Sequence, residues 1–262
     1  MLIALCSDKG SPGTTTTALA LASAWSEPAI VVEADPYGGD LAIRLRTDSG
    51  AVLPETPTVL TLAAAARSTD GAELVERFTH RINDQVSVAP GPLMAEQTAG
   101  VADWHSLAAR LAETGRPVLV DVGRLHAASP LLPLAARADV VLPVGRADTE
   151  SLIRFRERAA RLVPALASYR ETPPRLFPVL VGLERHRDGD LRDLRLLLDE
   201  TSAGPLVTGV GHIAYDLTGV GHMLAGQSAA GRLARSKLLR SARRTADELI
   251  DVVTPRQSEA VT

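Results

Sequence analysis

"LIALCSDKGSPGTTTTALALASAW", Leu2 to Trp25, decides how the rest of the chain is read. Leu2–Ser7 is a nearly continuous apolar run, the pattern of a strand covered on both faces. A loop with Gly10 and Gly13 follows, and Thr15–Trp25 has the composition of a buried helix. Glycines there let the backbone turn tightly and point N–H groups at an anion, and the helix adds its positive end. Four threonines are a poor choice for helix stability, because β-branched side chains lose rotamer freedom in a helix. A hydroxyl at Thr15 is well placed to ligate Mg²⁺ beside a triphosphate. The plainer alternative is a Gly/Pro turn followed by a Thr-capped helix. The order strand, glycine loop, helix favours the phosphate site.

Short apolar runs and helical segments alternate downstream. Ala29–Asp35, "QVSVAPGP", Pro117–Gly123, Ala138–Gly145, "LFPVLVG" and "PLVTGVGHIA" read as strands. "TLAAAARS", "GAELVERFTHRI", "MAEQTAGVADWHSLAARLAETG", "DTESLIRFRERAARLVPAL", "GDLRDLRLLLDE" and "SKLLRSARRTADELIDVV" read as helices. The alternation predicts an α/β fold with a doubly wound, mostly parallel sheet. Residues 1–254 are expected to form one domain and residues 255–262 a loose tail.

In such folds ligands bind at the carboxyl ends of the strands. Asp35 emerges from the second strand ahead of Pro36 and Gly38-Gly39 and can orient a water or a metal's ligand shell. Asp121 ends the four apolar residues Pro117–Val120, a usual setting for a carboxylate that holds Mg²⁺ through water. Each alone also reads as an ordinary turn or strand-end Asp. His186 reads as an exposed loop residue, and the histidines lack zinc spacing. No Ser/His/Asp or Cys/His arrangement stands out.

Composition narrows the classes. The 262 residues carry a formal charge of −3, so no global field draws the chain to nucleic acid or anionic lipid. The single cysteine, Cys6, excludes an intrachain disulfide framework. No apolar run reaches the roughly 18–20 residues of a membrane span, and no signal peptide is recognisable, so a cytoplasmic protein is expected. Only Lys9 and Lys237 are lysine among the 28 basic residues, so a lysine in the glycine loop calls for a reason.

These motifs resemble the ParA/MinD-type ATPases of the deviant-Walker group, whose loop reads K-G-G-x-G-K-T-[ST]. The matching run here is "KGSPGTTT", Lys9 to Thr16. The resemblance implies a P-loop NTPase of the SIMIBI-like class, a three-layer sandwich. It assigns Lys9 to the signature lysine that reaches a partner's nucleotide across a dimer, and Asp35 to water positioning. It gives Gly10, Ser11, Gly13, Thr14, Thr15, Thr16 and Asp121 to the nucleotide, with Thr15 and Asp121 on Mg²⁺. "VGHIAYD" resembles the loop beside the base. "GGDLAIRL", "TPTVLTLAAAAR" and "VSVAPGPLMAEQ" resemble the TadZ/CpaE branch, which helps position pilus or secretion machinery.

The run departs from the group's pattern. Thr14 stands where the second lysine contacts the β- and γ-phosphates. Ser11 replaces a glycine, and Pro12 lacks an N–H. Gly182 stands where the group often has an adenine-reading Asn, which weakens ATP against GTP. Losing one preorganised donor at a transferring phosphate costs on the order of 10²–10³ in rate. Two functions follow. One is a nucleotide-switched homodimer, a slow ATPase that positions a partner complex or chromosome, with recruitment to a pole, membrane or nucleoid left to that partner. The other is a non-hydrolysing scaffold that docks partners. "RLARSKLLRSARR" (Arg232–Arg244) fits weak nonspecific DNA contact, or simply a solvated basic face.

Overall fold

The computed structural model describes residues 1–8, 13–100 and 103–253. Its strands are β1 (Leu2–Ser7), β2 (Ala29–Glu33), β3 (His80–Arg81), β4 (Val86–Ala89), β5 (Val118–Arg124), β6 (Val140–Arg146), β7 (Arg175–Leu176), β8 (Val179–Gly182) and β9 (Gly211–Ala214). They form one sheet in the order β3-β4-β2-β5-β1-β6-β8-β9, with β7 also on β6. Every pairing is parallel except β3 with β4 at one edge. The helices are α1 (Thr14–Ala24), α2 (Leu41–Arg44), α3 (Val59–Ala65), α4 (Gly71–Arg77), α5 (Trp104–Ala112), α6 (Leu132–Arg137), α7 (Thr149–Ala167), α8 (Arg187–Asp199), α9 (Leu217–Leu224), α10 (Gly231–Ala234) and α11 (Lys237–Val253).

Strand alternation divides the core into two clusters, one on each sheet face. Ala4, Val32, Val120 and Val141 pack against side chains of α3 to α8. Ile3, Leu5, Val31, Leu119 and Leu142 pack against α1, α9, α10 and α11. This is the doubly wound, three-layer arrangement the sequence predicts. Helix α1 is buried on nearly every side, which explains its run of Ala and Leu in place of an amphipathic stripe.

Four elements differ from expectation. "GAELVERFTHRI" is helical only over Gly71–Arg77, and its end, His80–Arg81, is strand β3, drawn off the helix by antiparallel pairing with β4. The long helix expected from Met94 to Gly115 is a 3₁₀ turn over Ala95–Gly100 and a separate α5. Asp103 starts that helix anew by accepting the Ser106 N–H at 2.9 Å. "LFPVLVG" is divided into β7 and β8 around Pro178, which has no N–H for a ladder. "PLVTGVGHIA" shortens to β9, because its front forms a 3₁₀ turn over Gly204–Leu206. Among the described residues, no helix is long and apolar enough to cross a membrane.

Strand β1 lies between β5 and β6, and β2 lies beyond β5. The carboxyl ends of β1, β2 and β5 therefore stand side by side. The loops leaving them, with the first turn of α1, make the site.

Candidate functional site

The first turn of α1 is set by Gly13. Its φ of 97° lies in the left-handed region, which a side chain would make costly. Thr17 N–H donates to the Gly13 carbonyl at 2.7 Å, closing the first helical turn. No side chain caps this end, so the expected alternative of a Thr-capped turn is not what forms. The first N–H groups of α1 are left available to an anion. Thr14 and Thr17 are buried, and neither hydroxyl has a hydrogen-bond partner among the described residues. Lys9, Gly10 and Ser11 lie outside the described residues.

Thr15 points the other way. Its hydroxyl donates to Oδ2 of Asp121 at 2.5 Å, joining helix α1 to strand β5. The second oxygen of Asp121 accepts the Gly123 N–H at 2.9 Å. Burial pushes the Asp121 carboxyl up to about 6, against the two hydrogen bonds that favour its charged form; nearby Asp35 raises it further. A hydroxyl and a carboxylate oxygen in contact at the mouth of a cleft form a hard-oxygen set that suits Mg²⁺.

Asp35 lies just past β2, on the glycine turn that ends β5. A Cβ on Gly123 would sit 2.2 Å from Cγ of Asp35, and Gly123 has a φ of 60°. Only glycine admits the carboxylate there. Asp35 Oδ1 accepts the Tyr37 N–H at 2.9 Å. Burial raises its carboxyl above the ordinary range, while the Tyr37 N–H and the Arg124 guanidinium oppose the rise. Arg124 in turn lies over the Tyr37 ring, 5.6 Å from its centre.

Glu33 is a site residue that the sequence reading passed over. Only 2% exposed, it accepts N–H groups from Asp40 at 3.1 Å, Leu41 at 3.3 Å and Gly91 at 2.8 Å. It ties the turn after β2 and the loop after β4 to the sheet. A Cβ on Gly39 would fall 2.1 Å from its Oε2, so Gly39 is glycine for the sake of this carboxylate. Burial lifts Glu33 to about 7 despite those three donors.

Two clefts meet over the start of α1. The outer one, about 540 Å³, is lined by Thr14, Thr15, Asp35, Asp121 and Arg124 among others. The inner one, about 400 Å³, is lined by Thr17, Arg146, Val181, Gly182, Ile213 and Leu217 among others. The outer is mainly polar and the inner mixes polar and apolar surface about evenly, a difference that fits a phosphate chain and an aromatic base. A Cβ on Gly182 would lie 2.6 Å from the Ala147 Cβ, so a base-reading side chain does not fit at that position without a shift. Asp216, in the "VGHIAYD" loop, accepts N–H groups from Gly219 at 3.0 Å and Lys237 at 2.9 Å, fastening the starts of α9 and α11 beside the inner cleft.

The loop's entry is held from α7. Asp8 pairs with Arg158 and lies 3.9 Å from Arg154. Cys6, directly before, is buried, and burial first, with Asp121 and Asp8 adding, pushes its thiol up to about 11 against the pull of Arg158. It is an inert strand residue. His186 is exposed, and no group of three or more His, Cys, Asp or Glu side chains able to hold a metal occurs among the described residues.

No protein-family model matches the sequence, and no curated protein is significantly similar to it. Solved structures are. A ParA family ATPase from Chlorobium tepidum superposes with a TM-score of 0.70 at 18% identity, over 95% of this chain and 98% of the other. MinD from Pyrococcus horikoshii, solved with Mg-ADP, gives 0.66 at 14% identity, over 95% of each chain. An ATP complex of a Cyanothece McdA variant gives 0.65 at 17% identity, over 96% of each. The chain therefore has the ParA/MinD P-loop fold.

Proposed function

We propose that this chain is a Mg-ATP-binding switch that dimerises and positions a partner assembly. The observation that supports this most is the Thr15–Asp121 contact at the mouth of a cleft that Asp35 also lines. Backbone N–H groups of Gly10, Ser11 and Gly13 through Thr16 hold the phosphates in this reading. Thr15 and Asp121 hold the cation. When bound, Mg²⁺ supplies positive charge to the phosphate oxygens. Asp35 acts by orienting the attacking water, and its tether to Tyr37 N–H keeps its carboxylate facing the cleft. Lys9 reaches the nucleotide of a second copy. ATP is favoured over GTP because the similar structures with bound nucleotide carry adenine nucleotides.

Hydrolysis is slow in this reading, because Thr14 offers the terminal phosphate no positive charge. A scaffold that binds without hydrolysing is the second reading, and the same residue favours it. The partner belongs to a class that ParA-like proteins position: a pilus or secretion complex as in the TadZ/CpaE branch, a division site, or a chromosome. Exposed Arg240 and Arg243 on α11 would serve weak nonspecific DNA contact. Residues 1–254 act as one domain, since a single sheet carries both core clusters.

Light scattering with a non-hydrolysable triphosphate tests the switch. Wild type should double in mass, and Lys9→Ala should remain monomeric. A wild type whose mass ignores nucleotide would leave only the scaffold.

A further inference from the structure

The glycine loop lacks a lysine at Thr14, yet a phosphate chain over α1 still needs a cation. Three residues line both the outer and the inner cleft: Gly13, Thr16 and Arg44. Among the described residues, Arg44 is the one charged group at that seam. It ends α2, whose neighbours Leu41 and Leu45 are each 1% exposed and fasten the helix to the core. Its backbone N–H donates to Asp40 O at 2.9 Å, and the Asp40 N–H is itself held by Glu33. The main chain is thus fixed beside the seam that Arg44 lines.

The Arg44 guanidinium has no hydrogen bond or ion pair with another described residue, its backbone N–H alone being engaged. Arg46, two residues on, differs: its guanidinium donates to Ile43 O at 2.7 Å and Leu45 O at 2.8 Å. Arg124 lines only the outer cleft and lies over Tyr37, while Arg146 lines only the inner one. A second observation points to a ligand here. The buried hydroxyls of Thr14 and Thr17, one beside each cleft, have no hydrogen-bond partner among the described residues.

We propose that Arg44 is the phosphate-binding cation of this chain, supplying from α2 the charge that the loop lacks at Thr14. The inference rests on the nucleotide reading above. A guanidinium presents a planar fork of donors that matches two phosphate oxygens, and it is always charged. Its place at the seam assigns it to the phosphates nearest the sugar. The outer end of the cleft, marked by Asp35 and Asp121, belongs to the terminal phosphate. Arg44 is therefore a binding residue, and ADP and ATP should depend on it equally.

The test is calorimetric titration of the full chain with Mg-ADP and with Mg-ATP, for wild type, Arg44→Ala, Arg44→Lys and Arg46→Ala. Arg44→Ala should lose about tenfold or more in affinity for both nucleotides, the scale of a charge-assisted hydrogen bond. Arg44→Lys should recover part of that loss, and Arg46→Ala should bind as wild type. Arg44→Gln, which keeps two of the three methylenes and removes the charge, gives the same readout should Arg44→Ala lower the melting temperature. Wild-type affinity in Arg44→Ala and Arg44→Gln overturns the inference and leaves the nucleotide site standing. A loss confined to ATP overturns the assignment to the seam. Binding of neither nucleotide by the wild type removes the nucleotide reading itself, a distinct result.

Discussion

The Thr15 hydroxyl donates to Asp121 Oδ2 at 2.5 Å, so the start of α1 and the end of β5 are joined through two groups that both line the outer cleft. Neither side chain is committed to packing alone. Asp121→Asn keeps the shape and removes the charge. It should abolish the Mg²⁺ dependence of nucleotide binding while leaving the chain folded. Titrations with and without EDTA check this, and an unchanged Mg²⁺ dependence would remove Asp121 from the cation site.

Glu33 and Asp121 make stability depend on pH. Both carboxyls are raised in the folded chain, to about 7 and about 6, chiefly by burial. The folded state therefore holds more protons than the unfolded state between about pH 4.5 and 7, and stability falls as pH rises through that window. Ionising each in the folded chain costs on the order of 3 kcal/mol. Urea midpoints without nucleotide should be higher at pH 5.5 than at pH 7.5. Glu33→Gln should flatten that slope, and an equal slope in the variant would contradict the assignment.

Gly123→Ala should damage the site more than its one methyl suggests. The new Cβ would have to displace the Asp35 carboxylate, and the residue would be held at positive φ. A stability loss of about 1–3 kcal/mol is expected from the backbone conformation alone. Chemical denaturation of Gly123→Ala measures it. A variant as stable as wild type would mean that Asp35 moves aside freely.

How far such features can be read ahead of a structure depends on their range. The strands, the glycine loop and the Asp at each strand end follow from local pattern, and the structure arranges them as the pattern suggests. Glu33 was hidden because it sits in the run "AIVVEAD" and its donors come from two loops, one of them 58 residues away. The sequence shows Gly182 in place of the group's Asn; that Ala147 leaves no room there is a contact between separate strand ends. The helix expected from Met94 to Gly115 failed because its period continues through Gly100 while Asp103 restarts the hydrogen bonding. Short helices such as α2 and α6 carry too few residues for a periodic signal.

Thr14→Lys asks whether the loop's missing charge limits turnover. If Asp35, Thr15 and Asp121 are arranged for hydrolysis, phosphate release should rise by about 10²-fold, the effect of one electrostatic stabiliser. Adding Asp35→Ala should cancel the gain. Wild-type turnover already near about 1 s⁻¹ would show that Thr14 is no handicap. No gain despite tight binding would make the chain a binding module.

The most direct measurement is titration of the wild-type chain with ATP by isothermal calorimetry, once in Mg²⁺ and once in EDTA. The account predicts one ATP per chain, bound more weakly when Mg²⁺ is removed, because Thr15 and Asp121 then hold no cation to share with the phosphates. The absence of binding in both buffers, from a chain that unfolds cooperatively, would contradict it.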